Sequence, residues 1–250
     1  SRFAGDGDNG RKGDLMEFEG KVAFVSGGTR GIGLAVCRKL AARGAHIVLT
    51  YFRSRSNAQE AVAELEKFGV EATAIRANMG NMEQVADVLK TIREKYRKLD
   101  ILVSNAALGT YTDMMNIDRK DWEIAMHTNA RAFLQLIQMG IPMMPRGSKV
   151  VALSSLGSIR YIPGYAAIGV SKAAVENMVR YAAIEMASRE IYINCVSGGF
   201  IDTDALKVFP NYEEMKKQVT ARTPFGRIGR PEEVAEAVVF LCGDGASWIT

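Results

Sequence analysis

The sequence predicts a single-domain α/β protein with a doubly wound parallel sheet and helices on both faces. Six short apolar runs alternate with longer amphipathic stretches, and such alternation makes a parallel sheet the default arrangement. The length of 250 residues suffices for one large domain with a substantial core. Neither an internal repeat nor a linker-like stretch interrupts residues 20–250, so we expect one folding unit there.

The elements are expected in a regular order. Residues 1–15, rich in Gly, Asp and Asn without periodicity, are expected to be a disordered leader or an expression remnant, which leaves the domain at 16–250. Strands are expected at the apolar runs 22–25, 45–50, 70–77, 101–104, 150–153 and 191–196. Helices are expected at 34–43, 56–68, 81–96, 118–139, from about 164 to 182, and at 231–242. Residues 204–221 are expected to form a polar, partly helical insertion.

Composition and charge narrow the classes of function. Charged residues make up 24% of the chain and give a net charge of +4. Because no long basic run is present, this charge favours anionic small molecules over nucleic acid. No apolar run reaches transmembrane length, so no membrane span is expected. The three cysteines are far apart and show no metal-ligand spacing, so we expect reduced thiols, a cytoplasmic location and no metal site.

A glycine cluster directly follows the first predicted strand. It consists of Gly27-Gly28-Thr29-Arg30-Gly31-Ile32-Gly33 and precedes a predicted helix. Glycine lets the backbone turn tightly and approach a phosphate, and the free amides of a helix N-terminus attract an anion. The cluster therefore predicts a dinucleotide pyrophosphate site, although its G-x-x-x-G-x-G spacing differs from the commoner G-x-G-x-x-G. A glycine turn without a ligand is the alternative.

The end of the second predicted strand distinguishes between the two nicotinamide cofactors. A site for NAD usually has an Asp or Glu here, which binds the ribose hydroxyls. This chain has Arg53 and Ser54 instead, and Arg30 of the glycine cluster is a further candidate to bind a 2′-phosphate. Since an acid would repel that phosphate, its absence predicts NADPH as the cofactor. The alternative is that these arginines are solvated loop charges.

The stretch after the fifth predicted strand carries the candidate chemistry. Ser154 and Ser155 lie at the carboxyl end of that strand, the edge at which parallel α/β sheets bind ligands. Tyr165 and Lys172 follow on the next helix, seven positions apart, which places them on nearly the same face and about 10.5 Å apart along the axis. A phenol and an ammonium on one face can act on one bound ligand. A surface Tyr and a surface Lys on an amphipathic helix are the alternative.

In combination these motifs resemble the short-chain dehydrogenase/reductase family, whose members have the Rossmann fold. The resemblance extends from about residue 20 to the end of the chain. The residues that carry it, in the order of the family's motifs, are Gly27, Gly31, Ile32, Gly33, Asn105, Ala106, Ala107, Asn129, Ser155, Lys172 and the segment 194–203. Family members usually have their catalytic tyrosine four residues before the lysine, and that position is Ile168 here. They normally continue beyond a segment like 248–250 with a glycine and a last strand, which are absent from this sequence.

The position of the tyrosine points to one branch of the family. Six residues between Tyr165 and Lys172 are the spacing of the enoyl-acyl-carrier-protein reductases. Segments 154–161, 169–174 and 196–207 are similar to the third bacterial type of that enzyme, whose cofactor is NADPH. The resemblance therefore implies an enoyl-[acyl-carrier-protein] reductase of fatty-acid synthesis. It also implies an enoyl thioester of acyl-carrier protein or coenzyme A as substrate, and a homotetramer as the assembly.

The resemblance further implies roles for individual residues. Tyr165 is expected to stabilise an enolate oxygen, because charge develops further from the hydride-accepting carbon in an enoyl thioester than in a ketone. Lys172 is expected to bind the nicotinamide ribose and to polarise the phenol. Ser155 is expected to help bind the substrate oxygen, as in ordinary family members, although the commonest enoyl reductases have a second tyrosine at that position. Asn129 is expected to hold a water near Lys172, with a polar residue in a helix kink as the alternative. The remaining expected contacts are, to the substrate, Tyr161 and Leu206 and, to the cofactor, Thr29, Asn78, Met79, Gly198, Gly199, Ile201 and Thr203.

Two other functions stay open. A carbonyl or 3-ketoacyl reductase would need Tyr165 or Tyr161 to serve a rearranged site, and Ile168 argues against it. A non-catalytic NADP(H)-binding regulator would have lost its chemistry, and the presence of Lys172 and Ser155 beside Tyr165 argues against that. An NADPH-oxidation assay with an enoyl and a ketoacyl thioester distinguishes the three.

Overall fold

The computed structural model of this chain describes residues 16–207 and 212–250. The expected leader at 1–15 and a short part of the expected insertion, 208–211, lie outside the described residues. The strands are β1 Val22–Val25, β2 His46–Tyr51, β3 Ala72–Arg76, β4 Ile101–Ser104, β5 Lys149–Ser155 and β6 Tyr192–Gly198. Each strand lies on a predicted apolar run, and its ends differ from the predicted ends by at most two residues.

All six strands form one parallel sheet in the order β3-β2-β1-β4-β5-β6. The chain winds outwards from β1 to β3, returns to place β4 beside β1, and then winds outwards on the other side. This order confirms the predicted doubly wound sheet. In such a sheet the usual ligand site is the crevice at the carboxyl ends of the two strands where the winding reverses. The glycine cluster follows β1 and Asn105 follows β4, so both meet at this crevice.

Helices cover both faces of the sheet. Their bounds are α1 Gly31–Ala41, α2 Arg55–Glu66, α3 Met82–Tyr96, α4 Arg119–Ala125, α5 Ala132–Gly140, α6 Ala166–Met186, α7 Asp204–Lys207, α8 Tyr212–Arg222 and α9 Pro231–Cys242. The helix predicted at 118–139 is present as three consecutive helical segments, because a π-helical segment, Met126–Arg131, joins α4 to α5. α6 begins at Ala166 instead of near 164, since Gly164 has a φ of +69°, which a right-handed helix does not contain.

The core consists of two apolar layers, one on each face of the sheet. Phe24 of β1 belongs to the layer that contains Phe133 of α5 and Val175 of α6. Its neighbour Val25 belongs to the opposite layer, together with Val36 of α1. Successive side chains of a strand point to opposite faces, and a sheet covered on both faces needs apolar residues at every position. This requirement explains why the strands are continuous apolar runs in the sequence.

Three properties of the described residues bear on the class of protein. Within residues 16–207 and 212–250, no helix is long and apolar enough to cross a lipid bilayer. The same part of the chain contains no cluster of three or more His, Cys, Asp or Glu that could hold a metal ion. Cys37, Cys195 and Cys242 are free thiols. Burial raises the pKa of the Cys242 thiol to about 12, so this side chain behaves as a neutral part of the core.

Candidate functional site

The carboxyl ends of the strands open into a cavity of about 560 Å³. Its walls come from the connections that follow each of the six strands. The predicted site residues that line it are Gly27, Thr29, Arg30, Gly31, Ile32, Gly33, Arg53, Ser54, Asn78, Met79, Asn105, Ala106, Ala107, Ser155, Tyr165, Lys172, Gly198, Gly199, Ile201, Thr203 and Leu206. Two predicted residues, Asn129 and Tyr161, do not line it.

The glycine cluster forms a cradle with the shape that a pyrophosphate needs. Gly27 and Gly31 have φ values of +69° and +54°, a backbone conformation that other residues rarely adopt. A β-carbon at Gly33 would lie 2.3 Å from the Gly27 carbonyl oxygen, so this position requires glycine. The Asn105 amide donates to the carbonyl oxygens of Ser26 and Gly27, at 2.9 and 3.1 Å, and fixes the turn.

The first turn of α1 faces this cradle. Arg30, the residue before α1, makes no side-chain hydrogen bond that caps the helix. The first amides of a helix have no partners within it, and together with the helix dipole they form a site for an anion. A phosphate in the cavity would supply the missing acceptor. The residues present therefore fit the dinucleotide that the glycine spacing predicts.

The connection between β2 and α2 forms the wall where an adenosine 2′-phosphate is expected. It contributes Arg53, whose guanidinium lies over the Phe52 ring, 5.7 Å from the ring centroid. No Asp or Glu of this connection lines the cavity. The Ser54 hydroxyl also caps α2, by accepting from the amide of Asn57 at 3.2 Å, and its contact with a 2′-phosphate stays a prediction. Asn57, which the sequence analysis missed, lines the cavity beside Arg53.

Tyr165 lines the cavity from the position immediately before α6. Its ring fits closely against the backbone, since a β-carbon at Gly157 would lie 2.4 Å from its Cδ1 atom. Burial raises the pKa of the phenol, and a hydrogen bond with the Ser155 hydroxyl opposes that change. The phenol is therefore protonated at neutral pH and can donate a hydrogen bond or a proton to a ligand.

Lys172 is almost completely buried at the inner wall of the cavity, with 5% of its surface exposed. Burial lowers the pKa of its ammonium to about 8, and the nearby Cys195 sulfur opposes that change. Its Nζ atom donates to the Leu153 carbonyl oxygen at 2.7 Å, and no other described residue accepts from it. An ammonium has three N–H groups, so two are left for a ligand in the cavity.

The end of β5 is tied to α6 by one carboxylate. The hydroxyls of Ser154 and Ser158 both donate to Oε1 of Glu176. Glu176 lies one helical turn after Lys172, and Ser155 lies between the two donors in sequence. Hydrogen bonds to a charged acceptor are stronger than those between neutral groups. Glu176 therefore fixes the position of Ser155 relative to the helix that carries Lys172.

The side chain of Asn129 is hydrogen-bonded within the fold, and the expectation that Asn129 holds a water near Lys172 stays a prediction. Its amide nitrogen donates to the Leu108 carbonyl oxygen and to the Ser171 hydroxyl, at 3.1 and 2.8 Å. Its amide oxygen accepts from the Leu108 amide at 2.9 Å. Asn129 lies in the π-helical segment between α4 and α5, with only 3% of its surface exposed. It holds the β4–α4 connection in place instead of facing the cavity.

The structure does not place Tyr161 in the wall of the pocket, where it was expected. The expected pocket wall is 87% exposed and does not line the cavity, because the loop between β5 and α6 directs Ile162 inwards in its place. The sequence analysis missed Ile162, Tyr111 and Thr128, which all line the cavity. Tyr111 belongs to an irregular connection where no periodicity indicates which side chain points inwards. The one sequence feature that could have indicated Tyr111 is its position a few residues after Asn105, in the connection that follows a strand.

A cavity of this kind at the reversal point of a doubly wound sheet defines a dinucleotide-binding protein of the Rossmann type. Comparison with known proteins then gives the family. The family whose sequence model matches residues 27–250 is described as enoyl-(acyl carrier protein) reductase. With this match and the relatives below, the chain belongs to the short-chain dehydrogenase/reductase family and is an oxidoreductase.

Two curated relatives and one solved structure illustrate the range of similar proteins. The 1-cyclohexenylcarbonyl-CoA reductase of Streptomyces collinus is 37% identical over 232 residues, which cover 92% of this chain and 83% of the relative. The 3-oxoacyl-[acyl-carrier-protein] reductase of Staphylococcus aureus is 32% identical over 232 residues, covering 92% and 94%. A short-chain dehydrogenase of Burkholderia cenocepacia, solved in complex with NADP, is 29% identical with a TM-score of 0.88, covering 94% of this chain and 95% of that one.

Proposed function

We propose that this protein is an NADPH-dependent reductase of enoyl thioesters, acting on the trans-2 double bond in fatty-acid synthesis. The observation that carries the proposal is the position of the phenol. Tyr165, seven residues before Lys172, lines the cavity, whereas Ile168, four residues before it, is buried with 6% exposure and does not line the cavity. A carbonyl reductase of this family would be expected to have its tyrosine at position 168.

NADPH is the cofactor that the site supports. The glycine cradle and the first turn of α1 suit a pyrophosphate, and the two available N–H groups of Lys172 suit the ribose hydroxyls of the nicotinamide half. Arg53 provides a cation for a 2′-phosphate, and no carboxylate of the same connection opposes it. The similar short-chain dehydrogenase of Burkholderia cenocepacia was solved with NADP bound, which agrees with this assignment.

The proposed reaction adds a hydride and a proton across the double bond of the enoyl thioester. NADPH, when bound, supplies a hydride to Cβ of the enoyl thioester. The electron pair of the double bond moves towards the thioester carbonyl and negative charge collects on its oxygen. A proton that comes ultimately from solvent water is then added at Cα, which gives the saturated acyl thioester and leaves NADP⁺. That oxygen is three bonds from Cβ, whereas in a ketone the oxygen is bonded directly to the carbon that accepts the hydride. The group that stabilises the charge must therefore stand further from the hydride donor.

Three residues of the chain have separate roles in this reaction. The phenol of Tyr165, kept protonated by its raised pKa, donates to the oxygen that becomes negative. The hydroxyl of Ser155 is close enough to that phenol to oppose the rise in its pKa. The ammonium of Lys172 holds the ribose and adds positive charge at the buried inner wall of the cavity. Stabilisation of charge that appears only in the transition state raises the rate of the chemical step.

The carrier of the acyl group is proposed to be acyl-carrier protein or coenzyme A. The names of the two relatives contain one carrier each. The name 1-cyclohexenylcarbonyl-CoA describes a thioester whose double bond is conjugated to the carbonyl, as in an enoyl substrate. A homotetramer, which the family resemblance implies, and a cytoplasmic location, expected from the reduced thiols, complete the proposal.

A 3-oxoacyl reductase is the second candidate, because the Staphylococcus relative has that name and Ser155 is available to bind a substrate oxygen. The test measures NADPH oxidation with crotonyl and acetoacetyl thioesters of the same carrier. We expect kcat/KM for the crotonyl thioester to be at least about a hundredfold higher. A preference for acetoacetyl thioester would replace the proposal by the second candidate, and NADPH binding without turnover of either would indicate a non-catalytic protein.

A further inference from the structure

Tyr111 lies in the β4–α4 connection, and this connection is fixed on both sides of it. On one side, the amide and carbonyl of Leu108 are both hydrogen-bonded to the Asn129 side chain. On the other side, the amide of Thr112 donates to the Gly164 carbonyl oxygen at 2.8 Å, and Thr112 forms an isolated parallel bridge with Tyr165. The backbone around Tyr111 is thus tied to the residues that lead into α6.

The ring of Tyr111 stacks on the ring of Tyr165. The ring centroids are 6.1 Å apart and the ring planes differ by 28°, within the range in which offset aromatic pairs attract each other. Both rings line the cavity. Burial raises the pKa of the Tyr111 phenol to about 12, and the nearby Tyr165 contributes to that change, so both phenols are neutral at pH 7. The stack is therefore a packing interaction between two uncharged groups.

The Tyr165 ring has a second close neighbour in the backbone of Gly157, which leaves no room for a β-carbon. Gly157 and Tyr111 limit where this ring can go, and they belong to two different connections, after β5 and after β4. Tyr165 lies before the first residue of α6, so neighbouring turns of a helix do not flank its side chain on both sides. Packing is what restricts its rotamer.

We propose that Tyr111 is a positioning residue for Tyr165: its ring, placed by the tied β4–α4 connection, holds the reacting phenol in the cavity at the orientation that catalysis requires. This inference rests on the proposed function, in which Tyr165 is the acid of the enoyl reduction. It assigns the effect to the ring of Tyr111 and not to its hydroxyl. A displacement of about 1 Å in a catalytic group can lower a rate by roughly a hundredfold, so loss of the ring is expected to act on kcat.

The first test compares Tyr111→Leu, which removes the ring but keeps an apolar side chain, with Tyr111→Phe, which keeps the ring. With crotonyl thioester, Tyr111→Leu is expected to lower kcat by about ten- to a hundredfold, while KM for NADPH changes less than about twofold. Tyr111→Phe is expected to keep kcat within about threefold of the unmodified protein. Tyr181→Leu, on an exposed ring of α6 outside the cavity, is the matched control and is expected to leave both constants unchanged.

Equal losses in Tyr111→Phe and Tyr111→Leu would overturn the proposal, because the hydroxyl would then be the active part. A KM for NADPH that rises as much as kcat falls would also overturn it, since the residue would then shape the cofactor site. These readouts require no stability measurement, and Tyr111→Phe, which preserves the packing, keeps the comparison decisive if Tyr111→Leu folds poorly.

The second test is a double-mutant cycle with Tyr165→Phe. If Tyr111 acts through the Tyr165 hydroxyl, Tyr111→Leu has little further effect on kcat once that hydroxyl is absent, so the two effects are not additive. Additive effects would overturn the proposal. If the protein prefers acetoacetyl thioester, the enoyl-reductase assignment fails, yet the same cycle measured with that substrate still decides the role of Tyr111. Absence of turnover with both thioesters overturns both.

Discussion

Ile168 packs directly against the backbone of Gly109, so closely that a β-carbon at position 109 would lie 2.3 Å from Ile168 Cγ1. Gly109 belongs to the same tied connection as Tyr111, between β4 and α4. Ile168 thus packs α6 against this connection and does not line the cavity. Tyr165, one turn earlier in the chain, does line it. The position that holds the catalytic phenol in most members of the family serves packing in this chain.

The first prediction is that a tyrosine at this packed position does not fit. Ile168→Tyr adds a larger, polar side chain against Gly109, and overpacking of this kind destabilises a protein by about 1–3 kcal/mol. The variant is expected to show a lower midpoint in thermal unfolding, and no acetoacetyl-thioester reduction beyond that of the unmodified protein. Ile168→Leu, which conserves volume, is the control and is expected to cost less than about 1.5 kcal/mol. An Ile168→Tyr protein of unchanged stability that reduces acetoacetyl thioester would contradict this view.

The second prediction concerns the choice of cofactor. Loss of a hydrogen bond to a charged group costs about 1.5–3 kcal/mol, so Arg53→Ala is expected to weaken NADPH binding by at least about tenfold. The affinity for NADH, which has no 2′-phosphate, is expected to stay within about twofold. Both affinities can be measured by fluorescence titration of the reduced cofactors. Arg55→Ala removes a charge two residues further along, outside the cavity, and is the matched control. Equal binding of the two cofactors by the unmodified protein would refute the assignment.

The third prediction follows from the lowered pKa of Lys172. In the protein without ligand this side chain is a cation below about pH 8 and neutral above it. A hydrogen bond from a cation is worth about 1 kcal/mol more than one from a neutral amine, so NADPH affinity is expected to fall about fivefold between pH 7 and pH 9.5. The raised pKa of Tyr165 keeps its phenol largely neutral over this range. Lys172→Met is expected to bind NADPH more weakly and without this pH dependence. If the affinity of this variant still falls with pH as in the unmodified protein, a group other than Lys172 is responsible.

The parts of the site that the sequence predicted are those with a local chemical requirement. Gly33 is glycine because the Gly27 carbonyl oxygen occupies the space of a β-carbon, and a glycine spacing is visible in any sequence. Lys172 and Tyr165 were predicted from their separation along one helix. The strands were predicted because burial on both faces leaves no alternation, and the doubly wound parallel sheet followed from the alternation of strand and helix.

The residues that the sequence did not predict depend on contacts between distant segments. Tyr111 is placed by hydrogen bonds from its connection to Asn129 and Gly164, which no periodicity in the connection reveals. The contacts of Asn129 were not predicted either, because they depend on the π-helical segment that directs its side-chain amide to Leu108 and Ser171. Ser54 is different, because a serine just before a helix is a recognisable capping signal, and that simpler role is the one its hydroxyl has.

The last prediction tests the displaced phenol itself. Tyr165→Phe keeps the ring that packs on Tyr111 and Gly157 but removes the only hydroxyl that the proposal assigns to the enolate oxygen. Because that oxygen carries charge mainly in the transition state, the loss is expected in kcat, by roughly 10²- to 10⁴-fold, with NADPH affinity nearly unchanged. Single-turnover oxidation of NADPH with crotonyl thioester measures the chemical step, and fluorescence titration measures the affinity. Adding Ile168→Tyr to this variant is not expected to restore the rate, since the new hydroxyl would start one turn further along α6. Full enoyl reduction by Tyr165→Phe would overturn the mechanism, because a group other than the Tyr165 hydroxyl would then stabilise the enolate oxygen.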